Sequence, residues 1–252
     1  MFVSSQTFAN GEQQTERQQS KRNYLRPTQQ LDIHAPKLRT KTLSLTQLQH
    51  TDREKAVALH QFVQSLPFGC VPDYSALTAD AVLKLGYGDC FTKGMLLVAM
   101  LRSASIAARL RFVSLPVHFL RGIVDSDEAT IMHAMAEVYL DGRWVVTDSY
   151  VPDAALFEAA KKKLQSENRP LGYGIHIAGA RAWNGLHDAS AQCVASDPSS
   201  LPTVDWGVAD DPISFYADPS HSELRRNFAM RLKWRLGAGV VNKRVQAIRD
   251  DH

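Results

Sequence analysis

The chain is poor in cysteine, with only Cys70, Cys90 and Cys193 among 252 residues. So sparse and odd-numbered a set makes no disulfide framework, and it suits a reducing compartment. No Cys-x-x-Cys pair occurs, so a structural zinc site is not expected. Long apolar runs are also missing. The longest, Met95 to Leu101, falls far short of the roughly 20 residues that cross a bilayer, and no transmembrane segment is expected. The opening Met-Phe-Val turns polar at once and lacks the apolar core of a secretory leader, so the expected location is cytoplasmic. A net charge of +3 is too small to point to a nucleic-acid partner. No internal repeat is found.

What is present describes an ordinary globular protein. Hydrophobic residues make up 44% and charged residues 22%, and the length suffices for one sizeable core. Residues 1–22 are rich in Gln, Ser and charge and read as a disordered polar tail. Residues 23–222 read as the main domain, with its core in 50–150. Residues 223–252 read as a basic helical extension.

The first clear helix starts at Thr51. Thr51 and Glu54 have capping-box spacing, in which each side chain satisfies a backbone donor of the other. Ala56, Leu59, Val63 and Leu66 then share one face, and Pro67 closes the helix. A shorter helix is predicted over Thr78–Leu85, ended by Gly86-Tyr87-Gly88. The next starts at Asp89 or Cys90. Met95, Leu96, Leu97, Val98, Met100 and Leu101 make it apolar nearly all round, the pattern of a core helix. Strands follow at Ala108–Ser114, Ile131–Leu140 and Arg143–Tyr150. Asp141-Gly142 between the last two is a strong short-range hairpin signal. Helices followed by antiparallel strands imply an α+β fold, with a helix packed on one face of the sheet. Further on, Ala154–Gln165 reads as a helix, and residues 168–220 show little periodicity.

The hairpin organises the chemistry. A two-residue loop at 141–142 sets Leu140 opposite Arg143. Continued backward, the register sets Met135 opposite Asp148 and His133 opposite Tyr150. All four side chains then share a face, and His133 and Asp148 become diagonal neighbours. A carboxylate beside an imidazole fixes its tautomer and stabilises its charged form. Cys90 opens the buried helix, where unpaired N–H groups and the helix dipole favour thiolate and can hold an oxyanion. Asp89 opposes thiolate unless its carboxylate turns away to cap the helix. Each residue alone has a plainer reading: a small buried cysteine, a surface or satisfied histidine, an aspartate that forms a turn. Their conjunction points to a thiol nucleophile.

These segments resemble the transglutaminase-like superfamily of papain-type thiol enzymes, and its small bacterial members in particular. The resemblance covers about residues 50–150. Gly86-Tyr-Gly-Asp-Cys-Phe-Thr-Lys-Gly-Met-Leu-Leu is similar to the nucleophile helix, and Leu101-Arg-Ser-Ala-Ser-Ile-Ala-Ala-Arg to the passage from that helix into the first core strand. The stretch from His133 to Asp148 is similar to the histidine strand, tight turn and aspartate strand. The resemblance implies a papain-like core and a Cys90–His133–Asp148 triad. It also implies an oxyanion donor at Tyr87, no cofactor, and a peptide, protein or small amide as substrate. Asp89 and Phe91 flank the cysteine where animal cross-linking enzymes carry Gln and Trp, which argues against protein cross-linking. Two alternatives stand beside this reading. One is another thioester-using acyltransferase of arylamine N-acetyltransferase type, although its Arg-Gly-Gly-x-Cys pattern is absent. The other is a catalytically silent binding or scaffold module.

Four further features are weighed. The stretch Arg225–Arg249 holds eight Lys or Arg and no Asp or Glu. It suits an anionic partner, or more commonly a solvated helix face with Leu224, Phe228, Leu232 and Leu236 on the body. Gly237 and Gly239 are expected to break this helix. Asp205, Asp210, Asp211 and Asp218 lack EF-hand spacing, and no metal is expected. Gly172-Tyr-Gly-Ile is too short for a phosphate loop. Cys70, His118 and Cys193 show no reason to converge.

Overall fold

A computed structural model of the chain describes residues 22–224 and 228–251; the side chains of residues 228–236 are not described. The proposed tail is therefore almost wholly outside the described residues, as are the contacts expected of Phe228, Leu232 and Leu236.

The helix expected at Thr51 is Asp52–Ser65, with Thr51 as N-cap and the reciprocal bonds to Glu54 in place. An unanticipated helix precedes it, Pro36–Thr46. Its N-cap side chain makes no bond, and Pro36 at its first position is its start signal. These two are α1 and α2. Helix α3 is Ala79–Leu85, capped by Thr78 and stopped at left-handed Gly86. Helix α4 is Cys90–Ser103, and all its residues from Phe91 to Arg102 are buried.

The sheet explains that burial. Strands β1 (Ala108–Pro116), β2 (Thr130–Leu140) and β3 (Arg143–Thr147) run antiparallel, and α4 lies against β1 and β2 with α1, α2 and α3 around it. Leu110, Phe112, Ala134, Ala136 and Val138 join Met95, Leu96, Leu97 and Met100 in one core. The α+β arrangement is thus the expected one, a buried helix on an antiparallel sheet. Asp141 and Gly142 both take positive φ, 49° and 83°, as a two-residue hairpin turn requires.

The region after Pro152 has more structure than its pattern suggests. Helix α5 is Ala154–Ser166. Two short strands, β4 (Leu171–Gly172) and β5 (Ile175–His176), form a hairpin. Strand β6 (Val204–Ala209) joins the free edge of β1, giving the order β3-β2-β1-β6. Its register shifts between Phe112 and Val113, opposite a left-handed Gly207. Such a bulge breaks the alternation by which a strand is recognised. Helix α6 is Pro212–Ala217.

The last helix, α7, is Phe228–Asp250 and runs unbroken through Gly237 and Gly239, contrary to expectation. A glycine inside a helix costs about 1 kcal/mol against alanine. Here tertiary packing offsets that cost: Ala238, Val245 and Ile248 are buried, the latter two against Leu156, Phe157 and Ala160 of α5. No described helix is long and apolar enough to cross a membrane.

Candidate active site

The start of α4 is fixed by bonds that the sequence prefigures. Asp89 is its N-cap. Thr92 N–H donates to Asp89 Oδ1 at 3.1 Å, and Asp89 N–H donates to Thr92 Oγ1 at 2.9 Å. The other oxygen, Oδ2, accepts from Val71 N–H at 3.1 Å. The carboxylate thus caps the helix and ties it to the 67–71 segment, whose Phe68 bridges to Gly88. Burial raises the Asp89 pKa against the pull of these donors. Gly88 has to be glycine because a Cβ there would lie 2.5 Å from Thr92 Oγ1. Cys90, the first residue of the helix, is half-buried.

The hairpin register runs from Leu140↔Arg143 to Ala136↔Thr147 and stops. The expected pairs Met135–Asp148 and His133–Tyr150 do not form. The chain leaves the strand after Thr147, bridging to Ala189, and His133 is paired with Val113 of β1. The two side chains meet nonetheless: His133 Nε2 donates to Asp148 Oδ2 at 3.1 Å, both residues being buried. The Cys90 thiol is within hydrogen-bonding reach of the same imidazole. With Nε2 turned to the carboxylate, Nδ1 is the ring atom left for sulfur. Burial lowers the His133 pKa. The charge on Cys90 and the hydrogen bonds to Asp148 and Cys90 overcome that and raise it to about 10.

Asp148 is held by a loop that the sequence reading passed over. Ser190 Oγ donates to its Oδ2 at 2.9 Å and Ala191 N–H to its Oδ1 at 2.6 Å. With His133 these make three donors, which fix the carboxylate's orientation. Its own N–H donates to Ala189 O at 3.1 Å. The only advance signal is a small-residue stretch, Ala189-Ser190-Ala191, with no periodicity to mark it.

Two buried residues brace the helix. Tyr150 lies against Gly94, where a Cβ would come within 2.7 Å of the phenol oxygen, and its hydroxyl donates to Ala134 O at 3.5 Å. Lys93 is fully buried, and its Nζ donates to Leu66 O and Val151 O at 2.8 Å each and to Gln64 O at 3.5 Å. Burial lowers its pKa to about 7, with Asp153 opposing.

Tyr87 stands elsewhere than expected. After the left-handed turn at Gly86 its ring packs on Gly69, whose Cβ would meet it at 2.8 Å. It is not among the residues lining the cavity at Cys90 and His133. The other cysteines are nearer than the sequence suggests. Cys70 lines that cavity. Cys193 is close enough to Asp148 to feel its charge, and burial foremost, with that charge, pushes its thiol up to about 12. Among the described residues no cluster of His, Cys, Asp and Glu suited to a metal ion occurs.

A family model described as the transglutaminase-like superfamily matches residues 39–149. This segment belongs to the transglutaminase-like superfamily. The matched stretch contains Cys90 and His133 and ends just past Asp148, so the transglutaminase-like core carries all three residues of the site. None of the curated proteins compared with the chain matches it. Two solved structures show some likeness. A protein described as a candidate cysteine protease from Cytophaga hutchinsonii is 19% identical, with a TM-score of 0.42 over 50% of this chain and 40% of that one. A candidate protease from Parabacteroides distasonis ATCC 8503 is 20% identical, with a TM-score of 0.35 over 50% and 25%. The chain thus spans less than half the length of either.

Proposed function

We propose that this chain is a cysteine-dependent acyl-transfer enzyme acting on a carboxamide or peptide bond. Cys90 is the nucleophile, His133 its base and acid, and Asp148 the residue that orients His133. The observation that carries the reading is the buried imidazole, bonded to Asp148 through Nε2 and lining one cavity with Cys90, whose charge it feels.

In this reading the Cys90 thiolate attacks the acyl carbon, forming a C–S bond and placing charge on the carbonyl oxygen. The backbone N–H at the start of α4 faces that charge, a more suitable donor than Tyr87 in its place on Gly69. Imidazolium then protonates the leaving amine as the C–N bond breaks, which leaves a thioester. Neutral His133 next takes a proton from the acceptor, water or an amine, as it attacks the thioester. The sulfur leaves with the electron pair, and the thiolate–imidazolium pair is restored. Asp148, fixed by Ser190 and Ala191, keeps Nδ1 aimed at sulfur throughout.

Limiting iodoacetamide at neutral pH, followed by peptide mapping, tests the nucleophile. Cys90 should be alkylated well before Cys70 and Cys193. Equal labelling of the three, or protection of Cys90 until denaturation, defeats the proposal.

A further inference from the structure

The cavity that opens on Cys90 and His133 has a volume of about 110 Å³. Its wall is assembled from distant parts of the chain: Phe119 and Val124 after β1, Ile131 and Met132 of β2, Leu156 of α5 and Val241 of α7. Among the described residues that line it, the charged or titratable ones are Asp89, Cys90, His133, Cys70 and Tyr74. Asp89 is committed to Thr92 and Val71, and Cys90 and His133 to each other. No lysine or arginine among the described residues lines the cavity. Gln192, the other polar side chain described on the wall, donates to Gly174 O at 3.1 Å, while its Oε1 is buried with no hydrogen-bond partner among the described residues.

Such a wall selects its occupant. A charged group placed there loses its water and finds no counter-ion among the described residues. An apolar group loses only unfavourable hydration. The size is also set, since an apolar cavity of about 150 Å³ takes up benzene, and this one, at about 110 Å³, suits a smaller group. We propose that the acyl donor carries an uncharged, apolar side chain of about isobutyl size, seated on this wall while its carbonyl carbon faces Cys90. This rests on the reading of Cys90 as nucleophile, and it excludes donors whose acyl chain ends in a carboxylate.

Nitrophenyl esters test it on the full chain. In each case the thiolate forms a C–S bond to the ester carbonyl, and p-nitrophenolate leaves with the electron pair. Acylation of Cys90 is followed by the nitrophenolate burst and peptide mapping for acetate, butyrate, 4-methylpentanoate and the singly charged half-ester of glutarate. The expected gain is about fourfold per added methylene, equivalent to about 0.8 kcal/mol each. Butyrate should therefore exceed acetate by about 15-fold, and 4-methylpentanoate should exceed glutarate by at least as much. A flat series, or glutarate as the fastest donor, overturns the proposal. Isobutanol binding to Cys90→Ala, measured by calorimetry, reads the wall without the chemistry. Saturable one-to-one binding is expected, and no binding overturns the proposal. If isobutanol binds and no ester acylates Cys90, the thiol mechanism fails and the apolar seat stands.

Discussion

Two regions of the molecule meet at the cavity, and they were written in different ways. Residues 86–148 supply the candidate reacting groups through local devices: a capping box, a buried helix and a tight hairpin. Residues 150–250 supply the supports: the loop that holds Asp148, the side chain of Leu156, and the helix that contributes Val241. The first region orders its groups over short sequence distances. The second reaches the site through contacts such as Arg249 to Phe68 and Asn242 to Cys70, which join residues 181 and 172 positions apart. Substitutions in the first should therefore remove chemistry from a folded protein, whereas those in the second should loosen the fold around a chemistry that survives.

The largest expected effect lies in the first region. Cys90→Ala should abolish covalent turnover, and His133→Ala should be nearly as damaging because both the base and the acid are lost. Asp148→Asn should lower the rate by about 10⁴-fold. The losses should not add: once Cys90 is gone, changing His133 should matter little. Steady-state rates on an ester that acylates the wild type, with circular dichroism to confirm folding, measure this. A folded Cys90→Ala protein that keeps most of its activity would move the chemistry to the second region.

Arg249→Met comes next and probes the second region. Arg249 donates to Asp153 Oδ2 at 2.5 Å and to Phe68 O at 2.7 Å. Asp153 in turn caps α5 through Leu156 N–H and accepts from Phe68 N–H. Both charged side chains are largely buried, at 13% and 9% exposure, so losing one partner should cost about 3 kcal/mol. Burial raises the Asp153 pKa, but the Arg249 and backbone hydrogen bonds prevail and hold it below the usual carboxylate value. A lowered pKa stabilises the fold above the unfolded value, near 4, and that share is lost as pH falls through the folded value. The gap in melting temperature between wild type and variant should therefore narrow below pH 4. Iodoacetamide labelling of Cys90 in the folded variant should stay within a few-fold of wild type. Loss of labelling without loss of stability would erase the distinction between the two regions.

The same division explains what could be read from residues alone. The capping box at Thr51, the cap at Asp89, the apolar helix and the Asp141-Gly142 turn are short-range patterns, and the structure contains each of them. The hairpin register was legible to Thr147, and it ended there because Asp148 is drawn off by Ala189, Ser190 and Ala191. Those residues are small and aperiodic, so nothing local announces them. Strand β6 was hidden by its bulge. The glycines at 237 and 239 misled because their propensity is local, while the burial of Ala238, Val245 and Ile248 that overrides it is not.

Ser190→Ala acts where the two regions join. It removes one of the three donors on Asp148 and leaves Ala191 N–H and His133 in place. A hydrogen bond to a charged group contributes about 1.5–3 kcal/mol. Part of that is recovered if water replaces the hydroxyl, so a roughly tenfold fall in acylation rate is expected. Ser190→Thr, which keeps the hydroxyl, should recover most of it. A rate unchanged in Ser190→Ala would mean that Ala191 alone fixes the carboxylate.

The smallest expected effect belongs to Tyr87. A phenol that donates to the oxyanion would be worth about 10²–10³-fold in rate. The ring instead rests on Gly69, in the segment that Asn242 holds through Cys70: Cys70 N–H donates to Asn242 Oδ1 at 2.7 Å, and Asn242 Nδ2 donates to Cys70 O at 3.1 Å. Tyr87→Phe keeps the ring and its packing and deletes only the hydroxyl, so the acylation rate should stay within about twofold of wild type. Tyr87→Ala removes the ring as well. It should lower the melting temperature through lost packing against Gly69, and any change in rate should follow that loosening rather than the missing hydroxyl. The pair of variants separates the two roles. A hundredfold loss in Tyr87→Phe with an unchanged melting temperature would return Tyr87 to the oxyanion and take that task from the backbone of α4. Parity between Tyr87→Phe and wild type would leave the start of the helix, with Asp89 as its cap, as the feature that both positions the thiol and receives the developing charge.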